Sequence, residues 1–120
     1  MDNRSRRRST RIPSCLSVQW IRRGVAHPAV AADINADGLF IQTDLDAQPG
    51  ELLQLVIDLS DGPLLAFVTA RFVGASLSGR GIGAELFLLG KTERRRWNRH
   101  YRAQLQVLQY EAPPAAEHVA

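Results

Sequence analysis

Short runs of alternating apolar residues, each closed by turn formers, constrain this 120-residue chain more than any other feature. Leu16, Val18 and Trp20 alternate with Ser17, Gln19 and Ile21, the period of a strand with one buried face. Arg22-Arg23-Gly24 marks a turn, and Val25 to Ile34 reads as the return strand, weakened near its start by Pro28. Asn35-Ala36-Asp37-Gly38 is dense in turn formers, and Leu39 to Thr43 is a short β-rich run. After a loop at Gln48-Pro49-Gly50, Glu51 to Leu59 places Leu53, Leu55, Ile57 and Leu59 on one face. Asp61-Gly62 is a hairpin signal ahead of Leu64 to Val73, and Ser78-Gly79-Arg80-Gly81 introduces Ile82 to Leu88. Six strands at this spacing predict a mainly β fold, a sandwich or a barrel.

Thr92 to Tyr110 breaks the pattern. Trp97, Tyr101, Leu105 and Leu108 follow helical spacing, with Thr92 as the expected N-cap and Glu93 at the positive end of the dipole. The apolar stripe of this helix is expected to pack on an open end of the sheet structure. The reading divides the chain into a flexible arginine-rich arm over residues 1–11, a β-barrel over 12–90, a packed C-terminal helix over 91–112 and a disordered tail over 113–120. Hydrophobic residues at 45% supply a core for one small domain. No stretch approaches the ~18 uninterrupted apolar residues of a membrane span, and no apolar segment follows the basic start as a signal peptide requires. The single cysteine, Cys15, cannot form an internal disulfide, which suits a reducing cytoplasm; beside Leu16 it reads as a small buried or half-buried filler. Trp20 reads as core, with lining a site as the alternative.

Charge is unevenly placed. Residues 1–11 carry +4, residues 12–90 carry −4 and residues 91–120 carry +3, and fourteen of the fifteen basic residues are arginine. Arginine grips phosphate bidentately and stacks on flat rings, so the bias favours recognition of a phosphate or a base. Arg94, Arg95, Arg96, Arg99 and Arg102 fill the other faces of the helix, a solvated face or a docking surface.

Catalysis has little support. His27, His100 and His118 show no site spacing, and no serine sits in a G-x-S-x-G elbow, so no catalytic or metal-binding residues are expected. Asp33-x-Asn35-x-Asp37-Gly38 fits the opening of an EF-hand calcium loop, with Asp44 at position twelve, but the flanks read as strands where helices are required.

Two segments stand out together. Arg6-Arg7-Arg8-Ser9-Thr10-Arg11 contains an R-x-x-x-R pattern, Arg7 to Arg11, just before the first strand; Asp33-Ile34-Asn35-Ala36-Asp37-Gly38 is a D-x-N-x-x-G turn leading into a strand. In both, the chain resembles the PilZ domain family, bacterial receptors for cyclic diguanylate (cyclic di-GMP), whose marks are R-x-x-x-R and [D/N]-x-S-x-x-G. Arg7, Arg11, Asp33 and Gly38 match position by position, and Asn35 stands where the family usually has serine. Gln48-Pro49-Gly50-Glu51 and Gly81-Ile82-Gly83-Ala84-Glu85-Leu86 resemble later parts of the family's barrel, so the likeness spans roughly residues 4 to 110.

The resemblance implies a six-stranded antiparallel β-barrel with an adjoining helix, and cyclic di-GMP as ligand with no other cofactor. It implies that Arg7 and Arg11 hold guanine and phosphate, that Asp33 and Asn35 take the other guanine's edge, and that Arg6 adds a backbone or phosphate contact. Gly38 permits a backbone geometry that a Cβ would hinder. Binding would order the arm and relay the signal to an effector protein whose identity the sequence does not give. The alternative is an adaptor of the same fold that acts through protein contacts alone. A nucleic-acid binder using both basic ends is disfavoured by the acidic body and the scarcity of lysine.

Overall fold

The computed structural model describes residues 9–77 and 79–111; the arm before Ser9 and the tail from residue 112 lie outside the described residues, together with the expectations of flexibility placed on them. Among the described residues six strands, β1 (Ile12–Arg22), β2 (Val25–Asn35), β3 (Gly38–Gln42), β4 (Leu52–Leu59), β5 (Gly62–Ser76) and β6 (Gly79–Leu88), precede one helix, α1 (Lys91–Glu111). Every pairing is antiparallel, and the order β1-β2-β3-β6-β5-β4 closes on itself as a barrel. Closure removes the open edges that a six-stranded sheet would otherwise expose.

The alternation seen in the sequence sets the interior. Val18 and Trp20 of β1, Leu53, Leu55 and Ile57 of β4, Leu64, Ala66 and Val68 of β5 and Ile82 of β6 are all buried in one cluster, which Trp97 and Tyr101 of α1 join from one end. Pro28 is tolerated because β2 pairs with β3 only from Val30 onward, so its missing N–H faces no ladder on that side. The β1–β2 turn carries Arg23 at φ 54° and Gly24 at φ 75°, the left-handed pair that suits a two-residue hairpin.

Two local expectations change. Cys15 is exposed, because the phase that points Leu16, Val18 and Trp20 inward points it outward with Ser17. The helix starts at Lys91, one residue before Thr92: the Gly90 carbonyl accepts the Arg94 N–H at 2.8 Å, which makes Gly90 the cap.

Two glycines let strands approach where a side chain could not. A Cβ on Gly38 would overlap the Ala84 carbonyl, and one on Gly81 would overlap the Ile41 carbonyl. Both are demands of strand closeness, since neither residue has positive φ. Gly38→Ala is therefore expected to destabilise the domain by about 3 kcal/mol, the upper end of overpacking penalties. Gly83→Ala, whose Cβ would rest 3.4 Å from Phe72 Cβ, should cost far less in the same denaturant titration.

Candidate functional site: the arm base and the Asn35 turn

The β2–β3 turn is an unusual hairpin connection. Asn35 pairs with Gly38 across a two-residue loop, Ala36-Asp37, yet neither loop residue has positive φ. Such a turn matches the twist of flanking strands poorly, so other contacts must hold it. Asn35 Oδ1 accepts the Asp37 N–H at 2.9 Å, an Asx turn. The Asp37 carbonyl accepts the Leu86 N–H at 2.8 Å, and Ser9 Oγ accepts the Ala36 N–H at 3.2 Å. From α1, Trp97 Nε1 donates to the Asn35 carbonyl at 3.1 Å and the Arg94 guanidinium to the Ala36 carbonyl at 3.1 Å. The same helix reaches the arm, where the Tyr101 hydroxyl donates to the Thr10 carbonyl at 2.6 Å.

These contacts bring the two sequence motifs together. Arg11 Nη1 lies 3.3 Å from Asp33 Oδ1, with the arginine side chain largely exposed and the carboxylate mostly covered. Asp33 and Asn35 stand two residues apart on β2, either side of buried Ile34, and so share the outer face. Of the predicted site residues, Arg11, Asp33, Asn35 and Gly38 therefore meet at one corner, and Gly38 contributes by letting β3 lie against β6. Arg6 and Arg7 lie outside the described residues. The segment Asp33–Asp44 runs from β2 into β3, so the helix–loop–helix frame of the calcium reading is not present there. Among the described residues no group of three or more His, Cys, Asp and Glu could hold a metal ion.

Sequence reasoning missed Ser9, Arg94 and the polar tips of Trp97 and Tyr101. Helical spacing identified the two aromatic rings as core, which they are, but spacing says nothing of where an indole N–H or a phenol O–H finds its acceptor.

A second set of contacts seats the start of α1. Arg96 grips Asp61 through two nitrogens, at 2.7 and 3.2 Å, and donates to the Gly62 and Pro63 carbonyls. The Arg96 hydrogen bond holds the Asp61 carboxyl below its ordinary value. Burial lowers the pKa of His100, against the pull of Asp61.

A sequence model of the PilZ domain matches residues 5–103. The chain belongs to the PilZ domain family. This PilZ domain also superposes on solved structures of the same fold. The Bacillus subtilis inhibitor of motility (MotI/DgrA) aligns with a TM-score of 0.66 at 23% identity, covering 84% of this chain and 52% of that one. YcgR from Escherichia coli, in complex with c-di-GMP, aligns with a TM-score of 0.70 at 17% identity, covering 96% and 51%. The PilZ domain of YcgR with c-di-GMP aligns at 0.64 and 16% identity, covering 93% and 98%. The chain thus spans about half the length of the first two proteins. No curated protein matches it as a relative. No helix among the described residues is long and apolar enough to cross a membrane.

Tyr101→Phe should cost about 1 kcal/mol, the net worth of one hydrogen bond, and should raise amide exchange at Thr10 and Arg11 while leaving β4 and β5 protected. His100 binds a proton less readily folded than unfolded. Stability should therefore be fully present above the ordinary value of 6.5 and fall as pH drops through the lower folded value. His100→Gln should flatten that part of the profile, read from denaturant midpoints between about pH 7.5 and 5.5.

Proposed function

We propose that this chain is a receptor for cyclic di-GMP and that the ligand sits where the arm base meets the Asn35 turn. The observation that carries the reading is the Arg11–Asp33 pair: the last arginine of R-x-x-x-R lies against the first residue of the D-x-N-x-x-G turn. The chemistry of the two groups fits the ligand. Guanine offers O6 and N7 as adjacent acceptors, the natural bidentate target of Arg7 and Arg11. Its N1–H and N2–H2 groups are donors, which the Asp33 carboxylate can accept. Arginine forks also pair with the two phosphates, a role for Arg6 as well.

The exchange is energetically cheap. The Arg11–Asp33 pair, whose arginine is largely exposed, is worth on the order of 1 kcal/mol, whereas micromolar binding releases about 8 kcal/mol. Ligand can therefore displace the pair, give each partner a better-matched group and order the arm above it. Asn35 keeps the turn that a serine would keep, since either oxygen can accept the Asp37 N–H. Its amide NH2 has no hydrogen-bond partner among the described residues and is available to a ligand acceptor. Receptor and effector partner would meet in the cytoplasm, and no catalytic step is assigned to the chain.

The second reading, an adaptor that acts through protein contacts alone, is favoured by one observation: Asn35 occupies the usual serine position.

Calorimetric titration separates the two. The receptor reading expects saturable binding of cyclic di-GMP at micromolar affinity or tighter, lost in Arg7→Ala and in Arg11→Ala with unchanged circular dichroism. Absence of saturable heat well above ~10 μM ligand, an affinity of only about −7 kcal/mol, would leave the adaptor reading.

A further inference from the structure

The arginines of α1 divide into two groups by what they do for the fold. Arg94 holds the Ala36 carbonyl, and Arg96 holds Asp61 and two carbonyls of the β4–β5 turn. Arg95 and Arg102 have neither a hydrogen bond nor an ion pair among the described residues, and Arg99 approaches Asp61 only at 3.8 Å. All three are exposed. At positions 95, 99 and 102 they form one stripe about 10 Å long, on the side of the helix away from Trp97 and Tyr101.

Folding does not explain the stripe. Like charges three and four residues apart on a helix repel. The three guanidinium groups, with Asn98 and Gln106, border a shallow groove at Ala103. That arrangement offers bidentate donors for carboxylates, with side-chain amides beside them to pair with an extended or helical backbone.

We propose that this outer face of α1 is the domain's output surface and that its occupant is an acidic segment of a partner protein. Charge complementarity selects the occupant. A short acidic segment can cover the stripe without meeting the rest of the domain, whereas the phosphates of a nucleic acid would run on over a barrel body of charge −4. Three exposed cations are also few beside the 6–10 phosphate contacts, roughly, of a typical DNA binder. The inner face of the same helix holds the Asn35, Ala36 and Thr10 carbonyls, so any rearrangement of arm and turn acts directly on the element that carries the stripe. This coupling rests on the receptor reading, whereas the surface does not.

The test uses the full chain and a fluorescein-labelled peptide, half glutamate, followed by anisotropy with and without saturating cyclic di-GMP. Saturable, salt-sensitive binding is expected to weaken at least tenfold in Arg95→Ala/Arg99→Ala/Arg102→Ala. Removing equal charge elsewhere, in Arg4→Ala/Arg8→Ala/Arg71→Ala, should change it less than threefold. Cyclic di-GMP should alter the wild-type peptide affinity at least threefold, while the helix triple variant keeps wild-type affinity for cyclic di-GMP. Equal losses in the two triple variants, or a single-stranded RNA that binds the stripe more tightly than the peptide, would overturn the assignment. So would peptide binding indifferent to cyclic di-GMP in a chain that binds cyclic di-GMP. Failure of the receptor reading looks different: no cyclic di-GMP heat in the wild type, with peptide binding and its loss in the helix variant intact.

Discussion

The hydrogen bond from the Trp97 indole to the Asn35 carbonyl ties the core to the candidate site. Trp97 is fully buried, one of the aromatic groups through which α1 joins the barrel interior. Its single polar atom leaves the core at a hairpin whose two loop residues, Ala36 and Asp37, lack the left-handed conformation that would make it self-sufficient. Burying an indole favours the helix position strongly, on the order of the 3–5 kcal/mol that truncating a core Trp costs. That burial fixes where the N–H points, and the N–H fixes the turn. Tyr101 repeats the device one turn later and fixes the arm at Thr10.

A consequence is that the corner formed by Arg11, Asp33 and Asn35 is preorganised on the barrel side and adjustable on the arm side. The turn is held by partners from β6, from α1 and from Ser9, while Arg11 is held by one exposed ion pair. In the proposed receptor the held turn would meet the ligand with rigid groups, while Arg11 would exchange its exposed pair for a ligand contact.

The strands were legible in the sequence because the period-two pattern in Leu53-Leu55-Ile57-Leu59 and in Leu16-Val18-Trp20 is strong, and burial enforces it. Cys15 shows the same rule overriding residue-type preference: the phase of β1 put it outside although free cysteines are usually buried. The candidate site was legible as two segments of matching chemistry, which the Arg11–Asp33 contact brings together. What periodicity could not give was the wiring between them. Ser9 to Ala36, Arg94 to Ala36 and Tyr101 to Thr10 join residues 27, 58 and 91 positions apart through side-chain tips and backbone carbonyls. Nor could it separate the arginines of α1, since Arg94 and Arg95 are neighbours in sequence but face a carbonyl and open solvent respectively.

The central claim is that one ligand engages arm and turn together, and amide chemical-shift mapping of the 13.3 kDa chain tests it most directly. Titration with cyclic di-GMP is predicted to shift the amides of Thr10 and Arg11 and of Asp33 to Gly38 in concert, with one shared saturation curve and with the β4–β5 hairpin tip still. Shifts confined to the arm, with the Asp33–Gly38 amides unmoved at saturation, would contradict the account.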